Sequence, residues 1–153
     1  MAGMGRLRRG LTIAAAAGVM AAVMAGGTVA LVTLPANAAT VDLNAWYVLV
    51  NRTSGKAMDD FNFATGDGAA VVQWSRSNAN NQQWRFLDSG GGFYRLQNRH
   101  SGKVLDNRSS TSDGTDIVQW TDQNTTGQQV RLADSAGGFV RLISRHSGKA
   151  YCK

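Results

Sequence analysis

A four-part pattern returns along this chain at a nearly constant distance, and a chain that repeats itself every 46 or so residues must build its fold from that unit. Asn51-Arg52-Thr53-Ser54-Gly55-Lys56 comes back as Asn98-Arg99-His100-Ser101-Gly102-Lys103 and again as Ser144-Arg145-His146-Ser147-Gly148-Lys149, at spacings of 47 and 46 residues. Val71-Val72-Gln73-Trp74 recurs as Ile117-Val118-Gln119-Trp120, and Asn81-Gln82-Gln83-Trp84 as Gly127-Gln128-Gln129-Val130. Asp88-Ser89-Gly90-Gly91-Gly92-Phe93 recurs as Asp134-Ser135-Ala136-Gly137-Gly138-Phe139. These last three keep a spacing of 46, and chance does not hold that phase over separate motifs.

Each unit reads as four short strands. Trp46–Val50, Ala57–Asp59, Ala70–Trp74 and Gln83–Leu87 are brief β-prone runs divided by Ser-Gly, Gly-Asp-Gly, Asn-rich and Gly-rich turns. Helices are disfavoured: all 10 acidic residues are Asp, and Gly, Asn, Ser and Thr, which prefer turns and strand ends, are abundant. Short strands at regular spacing predict an all-β sandwich or barrel, and the length of the repeat narrows this to a propeller or a pseudo-threefold barrel. Two and a third copies are too few for a propeller.

The first 38 residues stand outside this pattern. Arg6, Arg8 and Arg9 precede an uncharged stretch from Gly10 to Leu34, followed by Pro35-Ala36-Asn37-Ala38. A basic start, an apolar run and an A-x-A site predict a secretory signal peptide over 1–38, cut after Ala38, and hence a secreted protein. An uncleaved segment would instead anchor the chain to a membrane. The Arg8-Arg9 pair resembles a twin-arginine signal but its surroundings do not, so the export route stays open. Removing 1–38 takes three Arg and no acid, leaving 13 basic against 10 acidic residues, a net charge of +3 on 39–153. That balance gives no support to a nucleic-acid partner.

The patterns G-K-x-[ML]-D, D-G-x-x-[VI]-V-Q-W and N-Q-Q-W resemble the ricin B-chain type β-trefoil lectins, also classed as family-13 carbohydrate-binding modules, over about residues 46–151. The resemblance implies a β-trefoil, with repeat 1 at about 46–92, repeat 2 at about 93–138 and a partial repeat 3 at 139–153. It also implies a lectin-like carbohydrate-binding module for galactosyl, xylosyl or related polysaccharide residues.

The residue types fit that chemistry. A sugar ring offers a flat face of C–H groups and a rim of hydroxyls, so a binder needs an aromatic plate and a few fixed polar groups. In repeat 1 the candidates are Asp59, Trp74, Asn81 and Gln82. If the second and third strands pair through the Asp67-Gly68 turn, Asp59 and Trp74 face one shallow pocket, and the Asp59 carboxylate can accept from neighbouring hydroxyls. The resemblance assigns the same roles to the Asp, the Asn and the aromatic. It also implies a Gln two residues before the aromatic, where this chain has Val72, so one polar contact is lacking. Repeat 2 keeps Asp106, Trp120 and Gln128, but Gly127 stands at the Asn position and Val130 at the fourth-strand Trp, so a weaker site is expected.

Other residues read as architecture. Trp84 is expected in the core and Trp46 packed near a chain end; His100 and His146 share a turn position, and Asp67 and Asp113 precede Gly as turn formers. No catalytic residues are assigned. A glycoside hydrolase needs two carboxylates across a cleft, whereas Asp59 and Asp60 are adjacent and would point to opposite faces of a strand. No G-x-S-x-G elbow, H-E-x-x-H or phosphate loop occurs. No metal site or cofactor is implied, and the single Cys152 has no cysteine to pair with. The alternative function is a trefoil scaffold acting as a protein-interaction or inhibitor protein. Cys152 stands where Asp59 and Asp106 stand in the other copies, and the third copy stops short. This gives two further expectations: a truncated or frame-shifted form of a longer protein, or self-association through an incomplete barrel.

Overall fold

The computed structural model describes residues 4–6 and 40–151; the apolar part of the expected leader, its cleavage site and Cys152 lie outside the described residues. Among the described residues there are ten strands: β1 Met4–Arg6, β2 Trp46–Val48, β3 Ala57–Asp60, β4 Val71–Trp74, β5 Trp84–Asp88, β6 Tyr94–Asn98, β7 Val104–Asp106, β8 Val118–Trp120, β9 Val130–Ser135 and β10 Phe139–Ser144. The expected strands of repeat 1 thus form within a residue or two of the expected bounds. No α-helix occurs among the described residues; single 3-10 turns sit at Phe61–Phe63, Asn80–Gln82 and Thr126–Gln128.

The repeat sets the topology. Strands β2, β5, β6, β9 and β10 follow one another as antiparallel neighbours, Tyr47 opposite Trp84, Trp84 opposite Asn98, Tyr94 opposite Val130 and Val130 opposite Ser144. These are the first and last strands of successive units. The middle strands of each unit pair as hairpins, β3 with β4 and β7 with β8. The third unit is represented by β10 and the turn that brings Ala150 back to Ile143. This is the all-β trefoil arrangement that the resemblance implies. β1 runs parallel to β2, Met4 beside Trp46.

The core lies where the outer strands of the units converge. Tyr47, Trp84, Phe86, Leu96, Leu105, Val130 and Leu132 are all buried, and Phe86 is met edge-on by Tyr47 at 5.4 Å and by Tyr94 at 5.7 Å. Such pairs favour tilted over stacked geometry because the edge of one ring meets the negative face of the other. Trp84 is fully buried, as expected, and its indole N–H donates to the Met58 carbonyl at 3.1 Å, so no polar atom of that side chain is stranded. Val130, its counterpart, is equally buried with far less volume.

Neighbouring units are also joined outside the core. The Arg of each N/S-R-x-S-G-K turn lies over an aromatic ring of another unit: Arg99 over Trp46 at 5.4 Å, Arg145 over Phe93 at 4.5 Å and Arg52 over Phe139 at 4.6 Å. The second Gln of each Q-Q pair accepts from the same Arg of the next unit, Gln83 from Arg99 and Gln129 from Arg145, both at 2.6 Å. Asp67 and Asp113, read from sequence as turn formers, do more than that. Asp67 pairs with Lys103 and Asp113 with Lys149, each at 2.7 Å, so each ties its turn to the following unit.

Candidate functional site

In unit 1 the β3–β4 hairpin sets Asp59 opposite Val72 and Ala57 opposite Trp74, so these four side chains share one face of the ladder. The expected pairing of these strands is found. Trp74 is 54% exposed while Asp59 is 3% exposed, so the plate stands out and the carboxylate sits at its foot. Phe61 meets Trp74 edge-on at 5.6 Å, and Phe63 meets the His100 ring at 5.2 Å; both phenylalanines are exposed. The missing Gln is replaced by Val72 directly across from Asp59, an apolar neighbour with no hydrogen bond to offer.

Gln82 is fully buried and every polar atom of its amide is engaged. Its Nε2 donates to Asp59 Oδ2 at 2.7 Å and to the Ser75 carbonyl at 2.9 Å, while its Oε1 accepts from the backbone N–H of Ser77 and Asn78. The geometry therefore sets Gln82 behind Asp59 as the residue that aims it. Asn81 is 4% exposed and donates to the Asp60 carbonyl at 3.1 Å; its own Oδ1 is buried without a partner. Burial pushes the Asp59 carboxyl up, and the hydrogen bonds from Gln82 and Asn81 pull against that shift.

Asp60 is the residue that sequence reasoning missed. Its side chain is fully buried and neither carboxylate oxygen has a hydrogen-bond partner. Burial pushes its pKa up to about 6; the nearby His100 charge lowers it and Asp59 raises it. The D-D pair was visible in the sequence, but nothing there showed that both side chains are buried and that Asp60 alone lacks a hydrogen-bond partner.

Unit 2 repeats the hairpin with Asp106 on β7 and Trp120 on β8, in surroundings that differ from those of unit 1. A hollow of about 330 Å³ opens there, lined by Asp106, Arg108, Ser109, Trp120, Gln123 and Thr125. Gln128 is buried like Gln82, but its Nε2 donates to the Thr121 carbonyl and its Oε1 accepts from the Gln123 N–H, so it holds the floor of the loop rather than Asp106. Asp106 instead accepts from the Arg108 backbone N–H at 2.5 Å. Gly127 has a steric cause: a Cβ there would lie 2.8 Å from Ser109 Oγ and 2.9 Å from Ser109 N. The Arg108-Ser109 turn occupies the space that an Asn side chain would need.

Among the described residues no group of three or more His, Cys, Asp or Glu is placed to hold a metal ion, and no helix is long and apolar enough to cross a membrane.

A trefoil of short hairpins, each carrying an aromatic beside an inward carboxylate, defines a lectin-like β-trefoil domain. The family model described as "Ricin-type beta-trefoil lectin domain-like" matches residues 36–120, more than half of the chain, and the chain belongs to that family. Among solved structures it is similar to a designed 3-fold symmetric protein, ThreeFoil, at 51% identity and a TM-score of 0.67, over 69% of this chain and 76% of that one. It is also similar to an exo-beta-1,3-galactanase from Clostridium thermocellum, at 35% identity and a TM-score of 0.65, over 68% of this chain and 23% of the galactanase. The Rhizoctonia solani agglutinin, at 22% identity and a TM-score of 0.59 over 69% of this chain and 72% of that one, shares the fold. Comparison with curated proteins finds no match.

Proposed function

We propose that this protein is a non-catalytic carbohydrate-binding module that takes galactosyl, xylosyl or related polysaccharide residues at Asp59 and Trp74 in unit 1 and at Asp106 and Trp120 in unit 2. The observation that carries the reading is the same pairing built twice: an aromatic plate at the end of one hairpin strand and a carboxylate held at its foot on the other. The ring face of a sugar stacks on the indole, and the carboxylate accepts from hydroxyls at the ring's rim, a charge-assisted contact. Gln82 and Asn81 act through Asp59 rather than on the sugar. Likeness to a chain that contains an exo-beta-1,3-galactanase supports the galactosyl choice.

Binding of the purified chain to a glycan array, repeated with Trp74→Ala, Trp120→Ala and Asp59→Ala, tests this. Loss of a charge-assisted hydrogen bond is worth about 1.5–3 kcal/mol, so Asp59→Ala is expected to weaken unit 1 binding by tenfold or more. Array binding that survives Trp74→Ala and Trp120→Ala together would direct attention to a protein partner on other loops. Residues 1–38 are proposed as the export signal of a secreted protein; the amino terminus recovered from the medium of a secreting host should then be Ala39.

A further inference from the structure

The two units differ at an exposed position in the loop after the Asp-bearing strand. Where unit 1 has Phe61, packed edge-on against Trp74, unit 2 has Arg108. Arg108 is exposed and lies on the wall of the 330 Å³ hollow with Asp106 and Trp120. It also lines a second hollow of about 340 Å³ with Ser110, Thr115 and Asp116. The side chain therefore borders both spaces, each at the lower end of small-ligand site volumes.

Arg108 is not a partner in the Arg95–Asp122, Lys103–Asp67 or Lys149–Asp113 ion pairs. Its backbone is fixed by the N–H donated to Asp106 Oδ1 and by a left-handed φ of 56°, followed by Ser109 at 51°. One carboxylate thus both lines the hollow and holds the turn that presents the guanidinium.

We propose that unit 2 selects an acidic sugar, a uronic acid residue whose ring lies on Trp120 and whose carboxylate is bound by Arg108. The proposal rests on the carbohydrate-binding reading above and adds the ligand class of its second site. A guanidinium has only donors, arranged as a planar fork that matches a carboxylate. A uronic acid carries its carboxylate at the rim of the pyranose ring, within reach of a side chain that flanks the stacking plate. A neutral hexose has a hydroxymethyl group there, which offers one oxygen and no charge. Asp106 sets the orientation, since it repels the ligand's carboxylate and accepts from hydroxyls on the opposite rim. Unit 1 has Phe61 in place of the cation and is expected to prefer the neutral sugar.

Calorimetric titration with three probes, a galacturonate-terminated oligosaccharide, its neutral methyl ester and the matching galactosyl oligosaccharide, tests the proposal. Trp74→Ala, a change at an exposed side chain, silences unit 1 and serves as the background. In that background the acid is expected to bind about tenfold or more tighter than its methyl ester. Arg108→Gln should erase the difference, and Arg108→Lys, which keeps the charge but not the fork, should restore part of it. Equal binding of acid and ester, an acid preference that survives Arg108→Gln, or tighter binding of a sulfated probe than of the uronate would each overturn the proposal. If the unmutated chain binds the galactosyl probe but not the uronate, only this inference fails; if it binds none of the three, the carbohydrate reading fails with it.

Discussion

At Asp60 the protein holds a fully buried carboxyl with no hydrogen-bond partner, and the physics of that one group is measurable. A free Asp titrates near 3.8, while burial first, with Asp59 adding and His100 opposing, pushes Asp60 to about 6. The folded chain therefore holds this proton more tightly than the unfolded chain. Its contribution to stability is complete below about pH 4 and is lost as pH rises through about 6. Asp60→Asn places in unit 1 the residue type that unit 2 has at Asn107, where the amide donates to Ser144 Oγ at 3.0 Å. The substitution is expected to raise stability by about 1–3 kcal/mol at pH 7, several degrees in Tm, and to leave it unchanged near pH 4. Thermal melts of both proteins from pH 4 to 7 check this, and curves that run parallel across the range would refute it. Asp67 and Asp113, whose carboxyls are held low chiefly by hydrogen bonds from Lys103 and Lys149, are present in both proteins and cancel from the comparison.

At the scale of the element, the loops after β3 and β7 decide what each hairpin can bind, and these were the hardest parts to read. The period of the repeat made the strands legible because the turn glycines and the Val-Gln-Trp run at Trp74 and Trp120 recur in phase. Asp59 and Trp74 were legible as partners because antiparallel pairing through Asp67-Gly68 fixes their register. The burial of Gln82 and Gln128 was not, since a side-chain amide looks the same in sequence whether it meets a ligand or holds a loop. Gly127 read as a lost Asn, whereas the fold makes it a required absence of a side chain: Ser109 fills the space. Arg108 passed unnoticed because it falls at the position of a phenylalanine and belongs to no recurring motif. Gly127→Ala is accordingly expected to cost about 1–3 kcal/mol by overpacking against backbone as well as side chain. It should weaken ligand binding in unit 2 while leaving unit 1 untouched. Adding Ser109→Gly removes one obstructing atom and suits the left-handed φ of 51°, so the double variant should recover part of the loss in denaturant melts. A single variant as stable as the parent would show that the turn moves freely.

Across the whole molecule, the pseudo-threefold repeat turns a local motif into a ring. Arg99 holds unit 2 to unit 1, Arg145 holds unit 3 to unit 2, and Arg52 reaches from unit 1 to Phe139 of unit 3, while its Nη1 donates to the Ala136 carbonyl at the end of unit 2 at 3.0 Å across 84 residues of sequence. The last of these has a distinct role. The other two join strands that already hydrogen-bond through β5–β6 and β9–β10, whereas Arg52 and Phe139 bring the beginning and the end of the barrel's strand order together. Phe139 is 43% exposed, so the contact retains much of its solvent screening and belongs at the weaker end of cation–π energies, about 0.5–1 kcal/mol. A double-mutant cycle of Arg52→Ala and Phe139→Leu, measured by denaturant unfolding, should return a coupling of that size. The Asp67–Lys103 and Asp113–Lys149 contacts are ionic, the first half-buried and the second exposed, and they should weaken with added salt. The Arg52 coupling, carried by a ring face, should persist better than theirs at high salt. If the two substitutions prove additive, the ring is closed by the buried core alone and the Arg of the repeated turn serves only its hydrogen bonds to Gln83, Gln129 and Ala136.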